Sequence, residues 1–170
     1  DIKTKTSSKV DFTIDLLEKI KIRDEKAVIF SFWIDPLLTL KERIEKTFGK
    51  NNAELFIGDL NKSQREENLK NFKTNKDAFV LLCSGKLGGE GINLVEANHA
   101  IFFNLWWNPS NNNQARDRII RIGQTKEAMI YHIYTANTVE SRIIEIIKSK
   151  NEITSDIIQK LAKKEASRND

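Results

Sequence analysis

The 170-residue chain contains one cysteine, two histidines and two prolines. Cys83 alone cannot close an intrachain disulfide, and with His99 and His132 as the only histidines there are too few Cys and His for a structural zinc site. The longest apolar stretches, around Ala27–Ile34 and Ala78–Cys83, fall far short of the ~18–20 residues that a membrane span requires. No signal peptide is recognisable, so the sequence reads as soluble and intracellular, with no membrane partner. Pro36 and Pro109 mark local starts rather than a linker, and neither an internal repeat nor a low-complexity block interrupts the chain. It opens on Asp1 rather than Met and reads as a piece of something longer. A chain of this length is one domain of ordinary size, able to bury roughly 70% of its unfolded surface. Its net charge of +4 is too mild to name a partner by itself.

What is present is alternation. Residues 9–20 carry Val10, Ile14, Leu17 and Ile20 at helical spacing, with Ser8 and Asp11 placed as a capping box. Ala27–Phe32 is a short apolar, β-branched run of the kind that forms a buried strand. Asp35-Pro36 reads as an N-cap followed by proline in the first turn of a helix that buries Leu37, Leu40 and Ile44 and ends at Gly49. Glu54–Ile57 is strand-like, Ser63 with Glu66 reads as the cap of a helix burying Leu69 and Phe72, and Ala78–Cys83 is another buried strand. Strands at His99–Asn104 and Ala128–Thr135 follow, with helices at Asn111–Arg121, Val139–Ile147 and 154–164. Five strands alternating with helices argue for an α/β fold, a parallel sheet covered on both faces. In such a sheet functional groups gather at the carboxyl ends of the strands.

Three segments have content suited to chemistry. In the helix at 114–124, Gln114, Arg118 and Arg121 stand at i, i+4 and i+7 and share one face, while Ala115, Ile119 and Ile122 form a separate apolar stripe. Two adjacent guanidinium groups suit phosphate oxygens; the plainer reading pairs Arg121 with Asp117 across one turn. The segment 84–94 follows a strand and holds Gly85, Gly88, Gly89 and Gly91, four of the chain's seven glycines, with Lys86. Its backbone N–H groups could approach an anion, or the turn could be structural; it matches neither a dinucleotide fingerprint nor a P-loop. The segment 105–114 sets Trp106 and Trp107 before Asn-Pro where a strand should end, for stacking or for core packing. Cys83, His99 and His132 have no neighbour in sequence that completes a nucleophile and base pair, and they take the structural reading.

Read together, AVIFS, GDLNKSQRE, the run from LLCSGKLGGEGINL through WWNP to QARDRIIRIGQTK, and TVESRI resemble the second RecA-like lobe of the Swi/Snf family of helicase-like, ATP-driven DNA translocases. The resemblance covers about Lys9 to Lys150, and the order and spacing of GGxGxNL, WNP and QAxDRxxRIGQ are specific to that family. It implies a RecA-like three-layer sandwich with a mostly parallel central sheet, a helicase C-terminal domain without a P-loop, over 1–150, and a brace-like helix and tail over 151–170. It implies ATP hydrolysis by the full-length protein, with ATP and Mg²⁺ held mainly by the first RecA-like lobe and double-stranded DNA as the other partner. This lobe alone would be inactive, and the protein cytoplasmic or nuclear according to the type of cell.

The resemblance also implies roles. Arg118 and Arg121 are similar to the arginine fingers of the family's sixth motif, which Gln114 opens and to which Asp117 belongs. Gly89, Gly91 and Asn93 are similar to the fifth motif, lining the cleft between lobes. Ser31, Ser84 and Lys86 would lie on the surface that tracks DNA phosphates, and Trp107 would help couple the lobes to DNA. Phe32-Trp33 stands where the family often has Gln-Phe, Asn104 where an Asp commonly precedes WNP, and Ile120 where a His usually separates the two arginines. The paired tryptophans are shared with repair-associated and prokaryotic branches, a pointer away from dedicated nucleosome sliding. A different class of reading keeps the same fold as a DNA- or protein-binding module that does not hydrolyse ATP.

Overall fold

In a computed structural model of the chain, residues 8–84, 92–104, 117 and 123–135 are described. In chain order the elements are α1 (Ser8–Ile22), β1 (Ala27–Ser31), α2 (Ile34–Phe48), β2 (Ala53–Phe56), α3 (Lys62–Thr74), β3 (Val80–Ser84), β4 (His99–Phe102) and β5 (Met129–His132). The five strands form one sheet in the order β2-β3-β1-β4-β5, and every pairing is parallel. The helices expected at Asn111–Arg121, Val139–Ile147 and 154–164, and the division at residue 150, lie outside the described residues.

The three inner strands are buried along their whole length, which is why their sequences run apolar without alternation. Alternation survives in which face each side chain serves. Ala27, Ile29, Val80, Leu82 and Ile101 join one core cluster, and Val28, Phe30, Leu81, Cys83, Ala100 and Phe102 join a second. Helices α1 and α2 cover the first face with Val10, Ile14, Leu17, Ile20, Leu37, Leu40 and Ile44. Helix α3 covers the second with Phe72 and the partly buried Leu69, joined by Ile92, Leu94 and Ala97 from the segment before β4. Handedness explains the division. The path runs from β1 out to β2 and then reverses through β3 to β4, so right-handed crossovers must switch faces at the reversal.

Two expected helix starts differ from those observed. The N-cap of α2 is Trp33, without a side-chain cap bond, and Asp35 lies in the first turn. Proline cannot donate a backbone hydrogen bond, so Pro36 fits anywhere in that turn and does not fix the cap one residue before itself. The N-cap of α3 is Asn61, not Ser63: its Oδ1 accepts from Gln64 N–H at 2.9 Å, while Gln64 Oε1 accepts from Asn61 N–H at 3.0 Å. Asn followed by Gln at the third position makes the reciprocal box as well as Ser with Glu does, and it comes first in the chain. In α1, Asp11 reaches across to Arg43 of α2 at 3.1 Å.

Lys9 and Lys26 fasten helices to the sheet. Lys9 is buried, donates to Phe103 O at 2.5 Å and lies over the Phe103 ring. Lys26 donates to the carbonyls of Phe72, Asn75 and Ala78, closing the end of α3, where the helix dipole favours a cation. Burial lowers the Lys26 pKa from its ordinary value, opposed by Glu96 and Asp24 nearby.

Candidate nucleotide and DNA edge

Because all five strands are parallel, their carboxyl ends lie on one edge of the sheet. On that edge β1 is central, with β3 and β4 on either side. The glycine-rich segment leaves from β3, and the segment carrying Trp107, Gln114, Arg118 and Arg121 leaves from β4. The two segments that carry most of the sequence-level candidates therefore start on the two strands flanking β1. Arg118, Arg121, Gly89, Gly91, Gln114, Lys86 and Trp107 themselves lie outside the described residues.

Ser31 and Ser84 are register partners at the ends of β1 and β3. Both are buried, Ser31 fully and Ser84 to 8% exposure, which places the two hydroxyls beneath the surface rather than on it. Ser31 Oγ lies 2.7 Å from Asn104 Oδ1 and 2.8 Å from Trp33 O, and it accepts from Trp33 N–H at 3.2 Å. One hydroxyl proton faces two acceptors there; an Asn104 amide turned the other way would donate to Ser31 instead. Ser84 Oγ accepts from Gly58 N–H at 3.3 Å, tying the loop after β2 to the end of β3. Each serine thus holds a neighbouring loop. Asn93 and Asp117 are exposed.

Two features of this edge escape sequence reasoning. Asn104 meets Ser31 across 73 positions of sequence, a proximity that exists only after β4 has paired with β1. Phe32 and Trp33 are 52% and 62% exposed, and their rings meet edge to face with centroids 4.7 Å apart. The available signal was their place after FS, where the family often has Gln-Phe. They put an apolar plate at the centre of the edge, suited to stacking on a ring or sugar. A cleft of about 380 Å³ bounded by Lys9, Phe12, His132 and Tyr134 lies beyond β5 on the same side. Burial lowers the pKa of His132, whose ring stacks on Phe102.

The opposite edge is built differently. His99, 1% exposed as a side chain, is held between Glu25 and the Tyr131 hydroxyl, which lies 3.1 Å from Nδ1. The hydrogen bond from His99 holds the Glu25 carboxyl below the usual carboxylate range, aided by Asn98 and Lys126 and opposed by burial. Burial raises the Tyr131 phenol. A cleft of about 470 Å³ opens here, with Lys21, Lys26, Lys76 and Lys126 balanced by Asp24, Glu25, Asp77 and Glu96. Balanced charge at the amino ends of the strands gives no preference for an anion. Cys83 is fully buried and its thiol is pushed far up by burial, so it is unreactive at neutral pH. Among the described residues no group of three or more His, Cys, Asp or Glu could hold a metal ion, and no helix is long and apolar enough to cross a membrane.

Comparisons with known proteins agree with this geometry. Residues 8–123 match the helicase conserved C-terminal domain. The chain is 36% identical over 146 residues to the human lymphoid-specific helicase, covering 85% of this chain and 17% of that protein. It is 36% identical over 151 residues to the DNA repair protein RAD5A of Arabidopsis thaliana, covering 88% of this chain and 14% of that one. The chain therefore spans about a sixth of the length of these relatives. Among solved structures, the C-terminal part of the Fun30 ATPase domain superposes with a TM-score of 0.75 at 34% identity, covering 82% of this chain and 45% of that one. The Sulfolobus solfataricus SWI2/SNF2 ATPase core in complex with dsDNA superposes with a TM-score of 0.74 at 32% identity, covering 89% of this chain and 31% of that one. Parallel sheet, motif order and both kinds of comparison agree: the chain belongs to the helicase conserved C-terminal domain family, as the second RecA-like lobe of the SWI2/SNF2 type.

Proposed function

We propose that this lobe completes a composite ATPase site and grips duplex DNA, as one half of an ATP-driven translocase. The observation that carries the reading is topological: the segments bearing the glycine and arginine motifs leave from β3 and β4, on either side of β1, at one edge of the sheet. Phosphoryl transfer needs a phosphate cradle, a carboxylate that holds Mg²⁺ and a cation aimed at the developing charge. The sequence has no GxxxxGK[ST] loop. Arginines suited to the third task are present, so the residues fit the acting-across half of the site.

ATP with Mg²⁺, held on the first lobe, supplies the transferable phosphoryl group. Arg118 and Arg121 place planar cationic forks against its oxygens when the lobes close, with Gln114 and Asp117 on the same segment and Gly89, Gly91 and Asn93 lining the cleft. On the DNA side Lys86 supplies charge and Trp107 an aromatic contact. Ser31 and Ser84, being buried, act by holding the loops that present backbone N–H groups to phosphate. Alternate opening and closing of the cleft, with each lobe holding phosphates, moves the duplex. The first lobe is required, so this lobe alone does not turn over ATP.

The test is ATP hydrolysis by the full-length protein with and without duplex DNA over a range of salt. Turnover should rise with DNA of any sequence, and DNA affinity should fall steeply with salt, with a log–log slope of about −0.9 per phosphate neutralised. DNA binding without any turnover would favour the non-hydrolysing binding module instead.

A further inference from the structure

We propose that Gln124 is a positioning residue that latches the arginine-bearing segment to the exit of the glycine-rich loop; the inference rests on the roles given above to Arg118 and Arg121. Gln124 follows Arg121 by three residues. Its Nε2 donates to Ala97 O at 2.7 Å, across 27 positions of sequence, and its Oε1 accepts from Lys126 N–H at 3.1 Å. These two bonds fix the amide's orientation, because turning it over would set oxygen against a carbonyl and NH₂ against an N–H.

Both ends of the latch are placed to matter. Ala97 is fully buried and closes a turn with Leu94, its N–H donating to Leu94 O at 3.1 Å. Leu94 directly follows Asn93, the last residue of the glycine motif's cleft set. The side-chain amide therefore ties the chain that follows the glycine motif to the chain that follows the arginine motif, at the point nearest Arg121 in sequence. Gly123 lies between Arg121 and Gln124 with φ +107°, a conformation that L side chains rarely adopt, although a Cβ there would meet nothing within 4 Å. The chain direction is thus set immediately before the amide. Just beyond, Met129 N–H donates to Asn98 O at 2.7 Å and Asn98 Nδ2 to Glu127 O at 3.3 Å, so the same two chain segments are joined again beside the latch.

A latch of this kind acts on rate more than on affinity. The first lobe binds the nucleotide, whereas the arginines must meet it in register, and a misplacement of about 1 Å can cost roughly 100-fold. The test uses full-length protein saturated with duplex DNA. Gln124→Glu keeps the shape, removes the donor and sets a carboxylate against Ala97 O; Gln124→Met keeps the length and removes both polar ends, and thermal melts by circular dichroism identify which of the two is folded at the assay temperature. The expected result is a kcat about 10- to 100-fold lower with KM for ATP within about twofold. In an Arg121→Lys background the Gln124 change should cost less than about threefold more, because an already misplaced cation has little register left to lose. A slow Arg121→Lys protein together with Gln124 variants within about twofold of wild type, or losses that multiply, overturns the latch while leaving the arginine assignment standing. Wild-type turnover by Arg121→Lys overturns the arginine assignment and the latch with it.

Discussion

Glu25 illustrates how one side chain at the amino edge of the sheet sets a property of the whole lobe. Its carboxylate closes the chain Glu25–His99–Tyr131 beneath the amino ends of β1, β4 and β5. The hydrogen bond from His99 is the main reason its pKa lies below the ordinary 4.5. A carboxyl whose folded pKa is depressed stabilises the fold at pH above its unfolded value, and that contribution is lost as pH falls through the folded one. Urea unfolding as a function of pH should therefore show stability declining below about pH 4.5, with Glu25→Gln flattening this acid limb and lowering stability at neutral pH. An unchanged acid limb in Glu25→Gln would assign the pH dependence to other carboxyls. His99 keeps the structural reading taken from the sequence, and its partners explain why a histidine can be buried there: both ring nitrogens are engaged.

Among the elements, the capping box of α3 is the clearest local device. Asn61 and Gln64 satisfy each other's backbone N–H groups, which would otherwise be orphaned at the helix start. Asn61→Ala should cost about 1 kcal/mol of stability by denaturant titration, within a range of about 0.5–2; an effect near zero would mean that water replaces the cap. The same helix shows how far pattern reading reaches. The buried stripes Val10–Ile14–Leu17–Ile20 and Leu37–Leu40–Ile44 and all five strands follow from apolar spacing, because burial enforces that spacing directly, and the helix end at Gly49 follows from the glycine itself, whose φ is +102°. The cap at Asn61 and the start of α2 at Ile34 did not follow, because several residue types can cap and the choice depends on where the preceding strand lets the chain turn. Contacts between strands were further out of reach. Ser31 with Asn104, Ser84 with Gly58 and Gln124 with Ala97 each join segments whose adjacency is created by the order β2-β3-β1-β4-β5. The burial of Ser31 and Ser84 is of this kind, since Asn104 and Gly58 meet them only once β4 and β2 have taken their places in the sheet.

At the scale of the molecule, the parallel sheet has two edges of different make-up. The amino edge is a closed lattice of Lys, Glu, His, Asn and Gln contacts, with balanced charge in its cleft. The carboxyl edge carries an exposed aromatic pair and the departures of the glycine and arginine segments. The latch proposed at Gln124 would let the amino edge hold the register of the proposed arginine site. On this view the lobe contributes half of an active site. Hydrolysis then depends on a cation delivered by this lobe to a nucleotide that it does not itself cradle. The decisive comparison is DNA-stimulated ATP turnover by the full-length protein and by its Arg121→Ala variant, with ATP affinity measured alongside. Arg121→Ala should lower turnover by roughly 10³- to 10⁵-fold while ATP affinity changes little; turnover within a few fold of wild type would contradict the composite site.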